Sequence, residues 1–330
     1  MADGLSNDSI IALLLKAGLG GSDYELRPGD LGGNNRIDIV TVAGRDYVIK
    51  SYYSSSVDSR DRQASEWKFL EYAYSITPRC VPQPLACLPD RKIALYEYIS
   101  GKKITTGEIG EREVLAAASF LRDLNASTPA KSGIDLPRAS DGFFSISEQI
   151  AHLDGRLDKL LLVEGSKEFD ELTRQIMSFW QAYKSSLQRR PDDKLEESEI
   201  IISPSDFGFH NVLKTPNSNL VFIDFEYAGW DDPAKAICDF FLQPAVPVSA
   251  EYLQLFIDVA LQYHPAKSKI MKRVKMMRSL FTLKWCCIIL NPYLPEWIER
   301  CAFANEYINV TALRNQRLKL AQVKFNEITQ

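Results

Sequence analysis

Long apolar runs are absent from this sequence. The N-terminal apolar stretch, residues 10–15, is six residues long, follows Asp3 and Asp8 and has no basic segment before it, so it lacks the pattern of a secretion signal. Residues 285–290 are equally short and lie between polar residues, whereas a membrane helix needs about 20 apolar residues. We interpret residues 10–15 as the core face of a first helix, and we expect a cytoplasmic protein that makes no membrane contact.

Cysteine and histidine are also scarce. The chain has 6 cysteines with no C-x-x-C pair, and its 3 histidines are widely separated, so it lacks the ligand spacing of a structural zinc site. We expect the cysteines to be buried thiols in a reducing compartment.

A strong positive charge and a nucleic-acid motif are missing as well. The formal net charge is −4 and the pI is about 5.6, which argues against a nucleic-acid partner. Hydrophobic residues make up 45% of the chain and charged residues 25%, the range of folded globular proteins. Because 330 residues exceed what one hydrophobic core usually organises, we expect two subdomains, in a monomer or a homodimer.

The N-terminal part of the chain has the composition of β-strands. Residues 37–42 and 46–50 are strand-like runs separated by a turn that contains Gly44, which predicts a hairpin. Residues 60–75 have helical apolar spacing, and residues 92–99 return to strand character. We therefore expect a β-rich N-terminal lobe.

Helices dominate the rest of the chain. Apolar spacing predicts them over residues 111–125, 146–162, 169–188, 252–263, 267–290 and 295–320. A short β-rich island, with strands at residues 199–202 and 220–225, interrupts them. The pattern predicts an α+β fold with an N-terminal lobe over residues 1–98, a C-terminal lobe over residues 99–330 and a hinge at about residues 96–102.

The loop inside this island contains residue types that phosphoryl transfer requires. Such a transfer needs metal ions on the phosphates, a carboxylate near the attacking hydroxyl and a cation on the other phosphates. Asp206 is followed five residues later by Asn211. The kinase catalytic loop has the same separation, and there the aspartate accepts the hydroxyl proton and the asparagine binds magnesium. In the alternative interpretation, both are ordinary turn residues.

A further carboxylate, Asp224, ends the apolar run of residues 221–223, 18 residues after Asp206. An unpaired charge at such a position is costly to desolvate, and a magnesium ion would be its partner. Glu226 lies two residues further on and faces the same side if the strand pleat continues. It could therefore supply a second metal oxygen or orient the first.

Two segments carry a resemblance to a known family. Residues 203–213, SPSDFGFHNVL, and residues 221–240, VFIDFEYAGWDDPAKAICDF, resemble the HGDLHxxN and IDFExxxxGDPxxDLA blocks of the aminoglycoside phosphotransferase/choline kinase family. The resemblance implies a bilobal protein-kinase-like fold with a β-rich N-lobe and a mainly helical C-lobe. It also implies Asp206 as the catalytic base, Asn211 and Asp224 as magnesium ligands, and a structural turn and helix that include Asp231, Pro233 and Asp239.

The resemblance extends to the N-terminal lobe, where the family pairs a lysine on the third strand with a helix glutamate. Lys50 and Glu66 fit this description. Glu71 is the alternative partner, but five residues turn a helix by about 140° and separate the two faces. The resemblance further implies that a phosphate-covering loop and a hinge backbone bind ATP or GTP, through Gly32, Gly33 and Asn34 in the loop and Glu97, Tyr98 and Ile99 in the hinge.

The sequence departs from the family at the start of the HGD block. Pro204 stands where the family has histidine, and Ser205 follows it. That histidine usually braces the catalytic loop rather than performing chemistry, so we expect a remote subfamily that has kept its activity. His210 could provide a substitute brace.

Residues 267–284 hold seven basic residues and no acidic one. Most such helices are simply solvated on their charged side. As a functional feature, this helix argues against a polycationic aminoglycoside acceptor and for a neutral or anionic one. The sequence thus predicts ATP- and Mg²⁺-dependent transfer of the γ-phosphate to a small-molecule hydroxyl, with a sugar or amino alcohol favoured.

Two alternatives remain open. The first is a protein Ser/Thr kinase, although no activation segment is recognisable between Asp224 and Asp239. The second is a nucleotide-binding pseudokinase with a regulatory role, which Pro204 suggests and the presence of Lys50 and Asp206 disfavours.

Overall fold

The structure is a computed structural model that describes residues 5–21, 23–29, 35–54, 60–126, 133–190, 193–304 and 309–329. Its N-terminal part is a β-sheet with two helices, and its C-terminal part is mostly helical. The α+β fold predicted from the sequence is therefore confirmed.

Five antiparallel strands form the N-terminal sheet, in the order β1-β2-β3-β5-β4. The strands are β1 (Glu25–Pro28), β2 (Arg36–Val42), β3 (Arg45–Ser51), β4 (Pro84–Leu88) and β5 (Ile93–Glu97), and the helices are α1 (Asn7–Lys16) and α2 (Arg62–Ile76). The predicted hairpin is β2–β3. Ala43 and Gly44 both have positive φ, 48° and 74°, as a two-residue hairpin turn requires.

The two helices pack on opposite faces of this sheet. Ile93 and Leu95 of β5 share a core cluster with α1, whereas Ala94 and Tyr96 belong to the cluster that contains α2. Lys50 of β3 pairs in register with Ala94, so its side chain points to the α2 face. Strand alternation thus directs Lys50 toward the helix that carries Glu66.

The C-terminal part contains eight α-helices among the described residues. They are α3 (Glu111–Ala126), α4 (Ile146–Leu161), α5 (Lys167–Gln188), α6 (Pro233–Leu242), α7 (Leu253–Ala260), α8 (Lys267–Ile289), α9 (Pro295–Phe303) and α10 (Val310–Asn326). The helices predicted over residues 111–125, 146–162, 169–188 and 267–290 are confirmed to within two residues at each end. The helix predicted over residues 252–263 is shorter than expected.

The single helix predicted over residues 295–320 is wrong. Helix α9 ends at Phe303, and α10 begins at Val310 after its own N-cap, Asn309, whose side-chain oxygen accepts from the Ala312 amide at 3.0 Å. An N-cap of this kind satisfies amides that a continuous helix would bond internally. Apolar spacing carried across both helices and concealed the break.

Short strands form the β-rich island that contains the loop with Asp206. They are β6 (Lys102–Lys103), β7 (Ile201–Ser203), β8 (Val212–Lys214), β9 (Leu220–Phe222) and β10 (Gly229–Asp231), in the sheets β6-β8-β9 and β10-β7. The predicted strand over residues 220–225 ends early because Asp224 has a φ of 68°, which no β-strand accommodates. The loop with Asp206 joins β7 to β8, and Asp224 lies just after β9.

Helix α8 lies at the centre of the helical part and packs against α4, α6 and α10. Arg273 and Lys284 of this helix are buried, whereas Lys272 and Arg278 are exposed. Four of its basic residues form ion pairs with carboxylates outside the helix: Lys267 with Asp258 (2.7 Å), Lys269 with Glu199 (2.7 Å), Arg273 with Asp232 (2.8 Å) and Lys284 with Asp239 (2.7 Å). Only some of the basic residues of α8 are therefore simply exposed to solvent, as the sequence analysis expected of the whole helix. Within the described residues, no helix has both the length and the apolarity to span a membrane.

Candidate active site

Lys50 lies between two carboxylates, one on helix α2 and one just after β9. Its ammonium nitrogen is 2.6 Å from Glu66 Oε2 and 2.5 Å from Asp224 Oδ1. Burial opposes the charge on Lys50, but Asp224 and Glu66 outweigh it and raise the pKa of the ammonium well above its usual value. The lysine is therefore a fixed positive charge beside Asp224.

Glu66 is the carboxylate that positions this lysine. It is buried, whereas Glu71, the alternative partner, is exposed. Glu66 Oε1 accepts from the backbone N–H of Phe225 at 3.1 Å, and Oε2 accepts from the hydroxyl of Tyr52 at 2.9 Å. Burial raises the pKa of Glu66 although Lys50 opposes the shift. One glutamate thus ties β3 and α2 to the segment that follows Asp224.

Asp206 occupies the loop between β7 and β8. Asn211 donates its side-chain N–H groups to Asp206 O at 3.0 Å and to Asp206 Oδ2 at 3.3 Å, and His210 Nε2 lies 3.1 Å from Asp206 Oδ1. Burial alone would raise the pKa of Asp206, but His210 and Asn211 outweigh it and lower that pKa. Asp206 is therefore an ionised carboxylate at neutral pH, and His210 makes the contact expected of a substitute brace.

A backbone hydrogen bond joins the two acidic segments. The N–H of Ile223 donates to Asn211 O at 2.9 Å, which fixes the strand end that carries Asp224 against the loop that carries Asp206. The side chain of Asp224 is 40% exposed. The structure thus brings together Lys50, Glu66 and Asp224, and places Asp206 and Asn211 alongside them.

Glu226 has surroundings unlike those of Asp224. Its side chain is 1% exposed, it accepts a hydrogen bond from Asn35 Nδ2, and its Oε2 lies 3.8 Å from Arg62 Nε. Asn35 lies just before β2 and Arg62 lies in α2. Both partners are far away in sequence, so local spacing gave no sign of them. The second metal oxygen predicted for Glu226 stays a prediction.

The remaining predicted nucleotide contacts have different positions. Gly32, Gly33 and Asn34 lie outside the described residues. Glu97 ends β5 and accepts from the Gln83 amide at 3.1 Å, while Tyr98 is 37% exposed and Ile99 follows on the path to β6. The hinge contacts stay a prediction.

Tyr52 is a site residue that the sequence analysis missed. Besides its contact with Glu66, its hydroxyl lies 2.6 Å from the hydroxyl of Tyr96, and burial raises the pKa of Tyr52 well above its usual value. Its position two residues after Lys50 on an extended chain was the available signal, because such residues share a face. Tyr52 and Lys50 donate to the same oxygen of Glu66, Oε2.

The turn after the site is also formed as the resemblance implied. Asp232 caps α6 by accepting from the Ala234 amide at 2.8 Å, and Pro233 is the first residue of that helix. Proline is favoured at this position because its missing N–H would have no helical partner.

An antiparallel sheet followed by a mostly helical part, with a strand lysine held by a helix glutamate, is the architecture of a kinase-like phosphotransferase. The chain belongs to the phosphotransferase enzyme family, whose model matches residues 25–242.

Solved structures support this fold. Choline kinase from Cryptosporidium parvum Iowa II is similar with a TM-score of 0.60 at 15% identity, over 93% of this chain and 90% of that chain. A choline/ethanolamine kinase family protein from Mesorhizobium loti gives a TM-score of 0.59 at 17% identity, over 97% and 94%. A spectinomycin phosphotransferase in complex with ADP and spectinomycin gives a TM-score of 0.61 at 12% identity, over 96% of this chain and 97% of that chain. No curated protein matches the chain.

Proposed function

We propose that this protein transfers the γ-phosphate of ATP to a hydroxyl group of a small molecule, with Mg²⁺ as cofactor. The observation that carries the proposal is Lys50, held 2.6 Å from Glu66 and 2.5 Å from Asp224, beside a loop in which Asn211 and Asp206 are hydrogen-bonded. Phosphoryl transfer depends on positioning and charge neutralisation, and this cluster supplies the groups for both.

The residues present fit magnesium and a nucleotide. Asn211 donates side-chain hydrogen bonds to Asp206 O and Asp206 Oδ2, which leaves its side-chain carbonyl oxygen as the group to bind a cation. Asp224 adds a carboxylate that is 40% exposed. Mg²⁺ prefers such oxygen ligands and takes one or two protein carboxylates together with phosphates. We assign Asn211 and Asp224 to the metal and Lys50 to the α/β-phosphates, and the bound metal would neutralise charge on the phosphates.

Asp206 has the ionisation state that its proposed role requires. Its lowered pKa, caused by His210 and Asn211 against burial, keeps the carboxylate ionised at neutral pH. An ionised carboxylate within hydrogen-bond reach of a hydroxyl orients it and accepts its proton during transfer. The same reasoning applies with GTP in place of ATP.

We favour a sugar or an amino alcohol over an aminoglycoside as the acceptor. Arg60 and Arg62 lie over the Tyr227 ring, 5.3 Å and 5.8 Å from its centroid, and Arg60 donates to Ser140 Oγ at 2.9 Å. Ser140 O in turn accepts from Ser205, the residue before Asp206. Arg62 is buried beside Glu226, so of the two it is the exposed Arg60 that disfavours a polycation near the catalytic loop. The sequence-based argument for this acceptor rested on the basic residues of α8. Because those residues are largely ion-paired, the argument now rests on the arginine beside the catalytic loop.

The names of the similar structures support small hydroxyl compounds as a class. Two of those named above are a choline kinase and a spectinomycin phosphotransferase. The oligomeric state and the cytoplasmic location stay predictions.

A screen of acceptors tests the proposed function. Wild type, Asp206→Ala and the control Asp135→Ala would be incubated with Mg-ATP and sugars, amino alcohols or aminoglycosides, and products identified by mass spectrometry. Asp135 is a matched control because its side chain is 87% exposed. We expect a phosphorylated sugar or amino alcohol from wild type and Asp135→Ala but not from Asp206→Ala. Nucleotide binding without any small-molecule product would instead favour a protein acceptor or a pseudokinase.

A further inference from the structure

Lys235 is a buried cation that the proposed transfer does not use. It lies in α6 and is 1% exposed. Its ammonium nitrogen donates to Asp231 Oδ2 at 2.9 Å and to Ser205 Oγ at 3.0 Å, and it lies 3.5 Å from Asp239 Oδ2. Burial opposes its charge, but Asp231 and Asp239 outweigh burial and raise the pKa of Lys235. Lys235 thus donates two hydrogen bonds, and Asp239 is a longer ion-pair contact.

The partner Ser205 directly precedes Asp206 and is held from several sides. Its φ is 65°, a left-handed conformation that is strained for a residue with a side chain. Its hydroxyl donates to Ser140 O at 2.9 Å while it accepts from Lys235, and its backbone N–H donates to Ser203 Oγ at 3.0 Å. These contacts hold a backbone conformation that Ser205 would not adopt unaided.

The carboxylates that hold Lys235 are themselves fixed. Asp231 lies on β10, which pairs with β7, the strand that leads into the catalytic loop. Asp239 accepts from Lys284 at 2.7 Å and from Trp285 Nε1 at 2.8 Å, both on α8. Lys235 thus connects the catalytic loop to the buried centre of the helical part.

We propose that the hydrogen bond from Lys235 to Ser205 positions Asp206 in this chain. Lys235 and Ser205 are then positioning residues of the catalytic loop and do not touch the substrate. The catalytic consequence rests on the proposed function, because it assumes that Asp206 receives the acceptor hydroxyl. The effect on the loop itself does not depend on any activity.

Hydrogen–deuterium exchange of Ser205→Ala tests the effect on the loop. This change removes only the hydroxyl and keeps the Cβ. The matched control is Thr173→Ala, which removes a buried hydroxyl that bonds Phe169 O at 2.9 Å in α5. We expect exchange in peptides over residues 203–211 to become about tenfold faster in Ser205→Ala and to stay unchanged in Thr173→Ala. Equal exchange in wild type and Ser205→Ala would overturn the proposal.

Lys235→Met gives a second test of the same contact. It leaves Asp231 without its lysine, so it destabilises the fold more than Ser205→Ala does. If it folds, faster exchange over residues 203–211 supports the proposal, and unchanged exchange there contradicts it. If it does not fold, Ser205→Ala, which removes the bond to Ser140 O together with the bond from Lys235, still decides against the proposal when exchange over residues 203–211 is unchanged.

Turnover separates positioning of Asp206 from a general loss of structure. ADP release with water as acceptor would be measured over a range of Mg-ATP concentrations. We expect Ser205→Ala to lower kcat about tenfold with KM for ATP within about twofold, because Lys50 and Asp224, assigned to the phosphates and the metal, lie outside the catalytic loop. Proportional losses in Ser205→Ala and Thr173→Ala would contradict a positioning role. A wild type that neither binds nor hydrolyses ATP would refute the proposed function, while the exchange result would still decide whether the contact holds the loop.

Discussion

Lys50 is the residue on which the electrostatics of the candidate active site depend most directly. It compensates Glu66, which is buried, and Asp224, which is 40% exposed. The pairing of Glu66 with Lys50 could be predicted, because the family resemblance joins a lysine on the third strand to a helix glutamate. The environment of Glu226 could not, since its hydrogen-bond partner Asn35 is 191 residues away. Contacts of that range are set by tertiary packing rather than by local pattern.

At the residue scale, Lys50→Met should lower both activity and stability. The change leaves the buried Glu66 without its cation, which costs about 3 kcal/mol, and it removes the charge assigned to the phosphates, which costs about 100-fold in kcat. The exposed pair of Lys68 with Asp135 supplies the control Lys68→Met, with an expected cost of about 0–1 kcal/mol. Urea unfolding and ATP turnover measure the two effects. Equal stability losses in both variants would contradict the role given to Lys50.

A second prediction at this scale concerns acid stability. Burial alone would raise the pKa of Asp141, but Arg156 and His152 of α4 and the charge of Lys284 on α8 outweigh it and lower that pKa well below its usual value. A lowered pKa in the folded state gives stability that is present above the unfolded value of about 3.9 and is lost as pH falls further.

Asp141→Asn should therefore be less stable than wild type at pH 7, and the difference should shrink below about pH 4. Thermal unfolding from pH 3 to 7 measures this dependence, with the exposed Asp135→Asn as control. A stability difference that stays constant over the whole range would refute the assignment.

At the scale of elements, helix α8 contributes more to the fold than its sequence indicated. Its basic residues suggested a solvated face, yet Arg273 and Lys284 lie inside and pair with Asp232 and Asp239. Asp232 and Asp239 belong to the turn and helix that follow the segment with Asp224. Helix spacing predicted where α8 lies but could not reveal these partners, because they come from another part of the chain.

Arg273→Met should therefore destabilise the protein strongly. Asp232 is 0% exposed and would lose its charged partner, at a cost of about 3–5 kcal/mol. Lys272→Met, one residue away and exposed, should change stability by less than about 0.5 kcal/mol. Denaturant unfolding of the two variants makes the comparison, and similar losses in both would show that the buried ion pair does not stabilise α8.

At the scale of the whole molecule, two hydrophobic clusters divide the chain unevenly. The smaller joins α1 to one face of the N-terminal sheet, and the larger runs from α2 through the helices to α10. Apolar periodicity and the two family blocks were enough to predict this two-part α+β fold. The break between α9 and α10 was missed, because the signal was one capping residue, Asn309, inside a continuous apolar pattern.

Nucleotide and metal should stabilise the molecule together. A ligand that binds only the folded state at 100 times its Kd adds about 2.7 kcal/mol. We expect Mg-ADP to raise Tm in wild type, and the magnesium-dependent part of that shift to disappear in Asp224→Asn. Differential scanning fluorimetry with and without EDTA measures both. A magnesium-dependent shift that survives in Asp224→Asn would remove Asp224 from the metal site.

The most direct test of the central claim is the rate of phosphoryl transfer in Asp206→Asn and wild type, with the acceptor found by the screen. The asparagine keeps the shape of the side chain but cannot take the hydroxyl proton. The account predicts a fall in kcat of about 100-fold or more, with Mg-ADP binding unchanged. A variant that transfers phosphate within a few-fold of the wild-type rate would contradict the assignment of Asp206 and, with it, the proposed reaction at this site.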